Sequence, residues 1–192
     1  MQTDLFSTPP SGGGGIAHNL FFGLMPDDGT SKRMSAAVER LRSQHAPHGR
    51  WLKSHRYHMT LHFLGSFQPL REDLVANACK AAAGVRSPAF DLVLNQAGSF
   101  PRNRVGWLGC AQTDASLQHL WEGLRQALAQ KHVKVDGASQ FKPHVTVLRD
   151  AKDALPLQPI EPIVWPVRQF VLVDSQLGSR NVYEPLGSWP LG

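Results

Sequence analysis

The chain carries one four-residue pattern twice: His58-Met59-Thr60-Leu61 and His144-Val145-Thr146-Val147. Each copy sits in a run that predicts a β-strand, over 57–64 for the first and 141–148 for the second. In a strand, residues i and i+2 point to one face and their neighbours to the other. His58 and Thr60 therefore share a face, and so do His144 and Thr146. Met59, Leu61, Val145 and Val147 turn to the core. A fold that brings the two strands together would line one cleft with two imidazoles and two hydroxyls. That set suits general acid–base chemistry on a phosphate ester.

The elements around the motifs repeat in order. Residues 19–25 predict a strand, stopped by Pro26-Asp27-Asp28-Gly29. Thr30 or Ser31 is expected to cap a helix with Met34, Val38 and Leu41 at helical spacing. A basic loop over 45–56 leads to the first motif strand, which Gly65 ends. Leu70, Leu74, Ala78, Ala81 and Val85 mark a second helix. Residues 90–97 and 104–110 predict a hairpin around a turn with Pro101. Thr113 or Asp114 caps a helix with Leu117, Leu120, Trp121, Leu124 and Leu128 on one face. After the second motif come a proline-rich loop over 154–166, a strand over 169–175 and a short strand over 182–186. Each motif follows a helix, which points to an internal duplication. Residues 1–17, with Pro9-Pro10 and glycines 12–15, predict a flexible tail ahead of a single domain over 18–192.

Composition narrows the chemistry. In 192 residues, 42% hydrophobic content supports a packed core. The net charge of +5 suits an anionic partner, yet no block of consecutive Lys and Arg marks a nucleic-acid tail. The 15 acidic residues are scattered, without the carboxylate clusters of metal phosphodiesterases, so no metal or other cofactor is expected. Cys79 and Cys110 lack metal or redox spacing and read as reduced thiols of a cytoplasmic protein. No apolar run approaches the ~18–20 residues that cross a bilayer.

The resemblance that these residues carry runs along most of the chain. It rests on Leu20-Phe21-Phe22-Gly23-Leu24 and on the first motif with His62-Phe63-Leu64-Gly65. It continues through residues 98–109, Phe141-Lys142-Pro143, the second motif with Leu148-Arg149-Asp150, and Tyr183-Glu184-Pro185-Leu186. On these the chain resembles the two-histidine phosphoesterases, specifically the bacterial RNA 2′,3′-cyclic phosphodiesterases, also called 2′-5′ RNA ligases. The resemblance implies an α+β fold: two pseudo-symmetric lobes of antiparallel sheet, with outer helices, around a central cleft. It implies metal-independent hydrolysis of RNA or nucleoside 2′,3′-cyclic phosphates to 2′-phosphates, with reversal as 2′-5′ ligation. The partners would be RNA ends or small nucleotides, met by a monomer away from membranes. His58 matches the proton donor and His144 the proton acceptor. Thr60, Thr146 and Arg149 match groups that hold phosphate oxygens, and Phe22 an aromatic that lines the base pocket.

Two of these positions strain the alternation. Strict pleating puts Arg149 on the face opposite His144 and Thr146, so the strand must end or bulge for Arg149 to reach the cleft. His62 stands where a small or apolar residue is expected; it shares the face of His58, about 13 Å along the strand, at the cleft edge. Two other readings stay open: a module that binds a nucleotide or RNA end without turnover, and a phosphodiesterase for another small cyclic or 2′-5′-linked nucleotide.

Overall fold

The two motif strands meet at one residue pair, and the rest of the architecture is arranged around that joint. The computed structural model describes residues 16–135, 141–177 and 183–192. Among them, nine strands form one antiparallel sheet with three α-helices on it. In chain order these are β1 (Ala17–Leu24), α1 (Asp28–His45), β2 (Arg50–Trp51), β3 (Met59–Phe67), α2 (Glu72–Ala82), β4 (Phe90–Phe100) and β5 (Val105–Gly109). They continue with α3 (Ala115–Gln130), β6 (His144–Arg149), β7 (Gln158–Val167), β8 (Gln169–Leu177) and β9 (Tyr183–Pro190).

The sheet runs β7-β4-β5-β6-β3-β1-β8-β9, with β2 also pairing β6. The link between β6 and β3 is the single pair Met59 with Val145. One lobe is therefore β3-β1-β8-β9 and the other β6-β5-β4-β7. The unit β1-α1-β3 in the first corresponds to β5-α3-β6 in the second, the duplication that the order of elements implied, within the α+β fold that the resemblance implied. Both motifs are anchored in the core by the apolar residues between their polar ones: Met59, Val145 and Val147 are fully buried and Leu61 is 4% exposed.

Each motif strand bulges at the same place. Phe22 pairs with His62 and Gly23 with Thr60, which leaves Leu61 as an extra residue. Gly106 pairs with Leu148 and Trp107 with Thr146, which leaves Val147 as an extra residue. Leu61 and Val147 are the last letters of the two motifs. An inserted residue reverses the in–out order beyond it. His62 and Leu148 therefore turn to the helix side, while Phe63 and Arg149 return to the cleft side.

The main core lies between the helices and one sheet face, where Leu20, Phe22, Leu24, Leu92, Leu108, Val145, Trp165 and Phe170 meet Met34, Leu117 and Leu124. On the other face of the first lobe, Phe21, Phe63, Val171 and Val173 form a smaller cluster with Met25 and Tyr183 at its margin. The cap of α1 is Asp27 rather than Thr30 or Ser31. Its carboxylate accepts from the Thr30 amide at 2.7 Å, and Thr30 is fully buried in the first turn. In α3, Asp114 caps by accepting from Ser116 and Leu117. The stretch expected as a proline-rich loop contains β7. It holds Pro159, Pro162 and Pro166 because it is an edge strand paired only with β4, where a missing N–H costs no ladder bond on the open side. Most of the expected tail falls outside the described residues; its last residue, Ala17, opens β1.

Candidate active site

Continuing the antiparallel register from Met59 and Val145 sets His58 across from Thr146 and Thr60 across from His144. All four lie on the face opposite the buried pair. The strands splay on either side of that joint, so a cleft opens between the lobes with one His and one Thr from each motif.

The two imidazoles are held alike. Nδ1 of His58 lies 2.9 Å from the Arg56 carbonyl, and Nδ1 of His144 lies 2.7 Å from the Lys142 carbonyl. Each partner is the residue two before the histidine. A carbonyl only accepts, so Nδ1 carries the hydrogen and Nε2 is the nitrogen left for a reacting proton. Packing fixes the ring planes. His58 lies between Phe21, at 4.8 Å between ring centroids, and Tyr183, edge-on at 5.2 Å. His144 has Phe100 edge-on at 5.0 Å.

Burial is the first cause that lowers both imidazoles. It pushes His58 down to about 4, against the opposing Arg56 hydrogen bond, and the positive charges of Arg149, Arg56 and His144 push the same way. His144 is lowered too, by burial first and then by Arg149, against the Lys142 hydrogen bond; it keeps a half-exposed edge that His58 does not. Arg149 thus acts electrostatically on both histidines, from the position to which the Val147 bulge returns it. Burial raises Tyr183, with Arg56 and Arg149 opposing. The Arg56 guanidinium lies 3.7 Å over the Tyr183 ring centroid.

The second lobe adds an aromatic wall. Trp107 faces the cleft as the partner of Thr146, and Phe100 packs on it at 5.4 Å. Gly98 makes room for the indole: a Cβ there would sit 2.7 Å from the ring. The buried indole Nε1 has no hydrogen-bond partner among the described residues. Among the described residues, no group of three or more His, Cys, Asp or Glu stands together as a metal site. No helix there is long and apolar enough to cross a membrane.

The sequence model of the 2′-5′ RNA ligase superfamily matches residues 26–178. The chain belongs to the 2′-5′ RNA ligase superfamily. An RNA 2′,3′-cyclic phosphodiesterase of Escherichia coli (strain K12) is 34% identical over 146 residues, covering 74% of this chain and 80% of the relative. Another, from Geobacillus stearothermophilus, is 27% identical over 183 residues, covering 89% of this chain and 57% of that relative. The crystal structure of E. coli LigT complexed with 3′-AMP matches with a TM-score of 0.74 and 30% identity, over 92% of this chain and 98% of that one.

Of the residues that the superfamily resemblance singled out, His58, Thr60, His144, Thr146 and Arg149 come together. Phe22 does not. It is fully buried on the helix side, against Phe170 and Trp189, and the aromatic beside His58 is its neighbour Phe21. Pleating allows only one of the two on each face, and the pairing of Phe21 with Phe63 and Val173 decides which. His62 is not at the cleft edge either. The Leu61 bulge buries it, stacked on Trp121, with Nε2 donating to the Trp121 carbonyl at 2.8 Å. The sequence reading missed Phe100, Trp107, Arg56 and Tyr183 as cleft residues. Phe100, Trp107 and Tyr183 lie in runs that carry the resemblance, but nothing in their spacing ties them to the two histidines.

Proposed function

We propose that this chain hydrolyses 2′,3′-cyclic phosphate ends of RNA or of nucleosides to 2′-phosphates, with His144 as base and His58 as acid. The observation that carries this reading is the matched pair of imidazoles. Each is tied at Nδ1 to a carbonyl and leaves Nε2 to the cleft, across from the other motif's threonine. His144 takes a proton from water as the water oxygen attacks phosphorus. The P–O3′ bond breaks, and His58 delivers its proton to O3′. Thr60, Thr146 and Arg149 hold the non-bridging oxygens as their charge grows. The bound phosphate anion offsets the positive charges around His58 and restores the proton that the acid needs. With a 5′-hydroxyl in place of water, the same steps form a 2′-5′ linkage. Both histidines come from one chain, which fits a monomer, and the free thiols Cys79 and Cys110 fit a cytoplasmic setting.

The test is product analysis by phosphorus NMR with a nucleoside 2′,3′-cyclic phosphate and a chelator present. The expected product is the 2′-phosphate, and His58→Ala and His144→Ala should each lower kcat by roughly 10²–10⁴. A 3′-phosphate, or near-wild-type turnover in both variants, would overturn the assignment.

A further inference from the structure

A pocket of about 350 Å³ opens where the β4–β5 turn meets the segment after β6. Its size suits a small organic ligand, and a water molecule needs no such space. Phe100 forms part of its wall, and the same ring stands edge-on to His144, so the pocket adjoins the candidate active site. Arg104, Lys152 and Asp153 also line it.

The pocket wall is built rather than incidental. Arg104 and Asp150 are both left-handed, at φ 52° and 56°, a conformation that costs a non-glycine residue about 1 kcal/mol or more. What holds them is a clamp. The Ala151 amide donates to the Arg104 carbonyl at 2.9 Å. The Arg104 guanidinium donates in return from Nε to the Ala151 carbonyl at 3.2 Å and from Nη2 to the Asp150 carbonyl at 3.1 Å. The Arg104 guanidinium is thus fixed as a cation in the pocket wall. Asp150 faces Arg50 at 3.4 Å, and Asp153, on the pocket wall, faces His48 at 3.0 Å and feels the charge of Lys152. Lys152 makes no salt bridge among the described residues. An aromatic ring beside the Arg104 guanidinium and the Lys152 ammonium matches a base stacked near its phosphate.

We propose that this pocket is a second nucleotide subsite, which takes the nucleotide unit next to the reacting phosphate, its base against Phe100 and its phosphodiester against Arg104 and Lys152. The proposal rests on the phosphodiesterase reading above. The unit has two possible sources: the preceding nucleotide of the same strand, or the first nucleotide of a second strand. In the second case its 5′-hydroxyl attacks phosphorus and gives its proton to His144, while O3′ leaves with the proton from His58.

The experiment compares wild type with Lys152→Glu, an exposed position where folding is not at stake. One arm measures kcat/KM for a dinucleotide ending in a 2′,3′-cyclic phosphate against that for the cyclic mononucleotide. The other arm supplies the cyclic mononucleotide with a dinucleoside monophosphate bearing a free 5′-hydroxyl and measures 2′-5′-linked product. A wild-type preference for the dinucleotide of about tenfold, reduced at least fivefold in Lys152→Glu, supports the same-strand source. Linked product that falls likewise in the variant supports the second-strand source. Equal kcat/KM for both substrates with no linked product, or a preference and a linked yield that Lys152→Glu leaves unchanged, overturns the subsite. If wild type does not turn over the cyclic mononucleotide, the phosphodiesterase reading fails. The pocket is then judged by binding of the dinucleoside monophosphate: weakening of at least fivefold in Lys152→Glu retains it, and equal binding removes it.

Discussion

The Tyr183 hydroxyl stands 3.3 Å from Nδ1 of His58, the nitrogen that the Arg56 carbonyl already holds at 2.9 Å. The phenol is the longer of two acceptors for one N–H, so its share of that bond is small. The ring does more. It packs edge-on to Phe21 at 5.8 Å and carries the Arg56 guanidinium on its face. Tyr183→Phe should therefore keep kcat within about threefold, as befits one long hydrogen bond of ~0.5 kcal/mol. Tyr183→Ala removes the platform and should cost about tenfold or more, since it frees the plane of the His58 ring. Steady-state rates on a cyclic nucleotide check this; equal losses would make the hydroxyl the operative group.

Arg149 adds to the lowering that burial imposes on both histidines. Its positive charge lowers the proton affinity of both histidines. With His58 at about 4 and required in its charged form, kcat/KM should peak on the acidic side of neutrality and fall as pH rises. The limbs belong to the coupled pair rather than to either histidine. Arg149→Gln removes the charge, so both imidazoles bind protons more readily and the profile moves to higher pH. Its maximum should also drop by about 10², the loss expected for one donor to a charged transition state. A lower maximum without a shift would show that Arg149 touches only the phosphate.

His62 makes the fold sensitive to acid. Burial is the first cause holding it at about 4 in the folded chain, below the 6.5 of an ordinary histidine. Its contribution to stability is complete above pH ~6.5 and is lost as pH falls toward 4; the full span is of order 3 kcal/mol. The corresponding residue after the second motif is Leu148. His62→Leu loses the hydrogen bond to the Trp121 carbonyl and the stack on the Trp121 ring, and should cost about 1–3 kcal/mol at pH 7. That deficit should shrink by about 2 kcal/mol at pH 5, because the variant no longer takes up the proton on unfolding. Urea unfolding at the two pH values measures both, and a constant deficit would show that His62 is charged in the folded protein.

Phe21 and Phe22 should separate cleanly. Phe22→Ala opens a cavity in the main core and should cost about 3–5 kcal/mol of stability. Phe21→Leu keeps most of the apolar volume but removes the ring beside His58. It should lower kcat about tenfold with a stability loss below about 1.5 kcal/mol. Thermal unfolding and turnover of the two variants test the pair. A larger catalytic loss for Phe22→Ala at temperatures where it is folded would reverse the assignment.

Much of this arrangement was legible because it depends on period and order. Met59, Val145 and their neighbours alternate, α3 shows its stripe from Leu117 to Leu128, and the two motifs announce a paired site. What was not legible depends on registers between distant strands. The bulges at Leu61 and Val147 arise from pairing with β1 and β5; the role expected of Arg149 required an end or a bulge in the second strand, and nothing in the first motif signalled its own. They move His62 out of the cleft side and bring Arg149 into it. The choice between Phe21 and Phe22 follows from the same pairing. Pro159, Pro162 and Pro166 hid β7, since a strand that tolerates proline has to be known as an edge first. Tyr183 reaches His58 only because β8 and β9 fold back beside β1.

The joint at Met59 and Val145 has an evolutionary consequence. The spacing of the two histidines is measured along backbone inside the motifs, not along the segments that connect the lobes. Loops and helices can lengthen, shorten or drift in descent without moving one imidazole relative to the other. The same economy confines the hazard. A bulkier residue at 59 or 145 would overpack the core directly beneath the seam and so disturb the one place that sets the distance between the histidines.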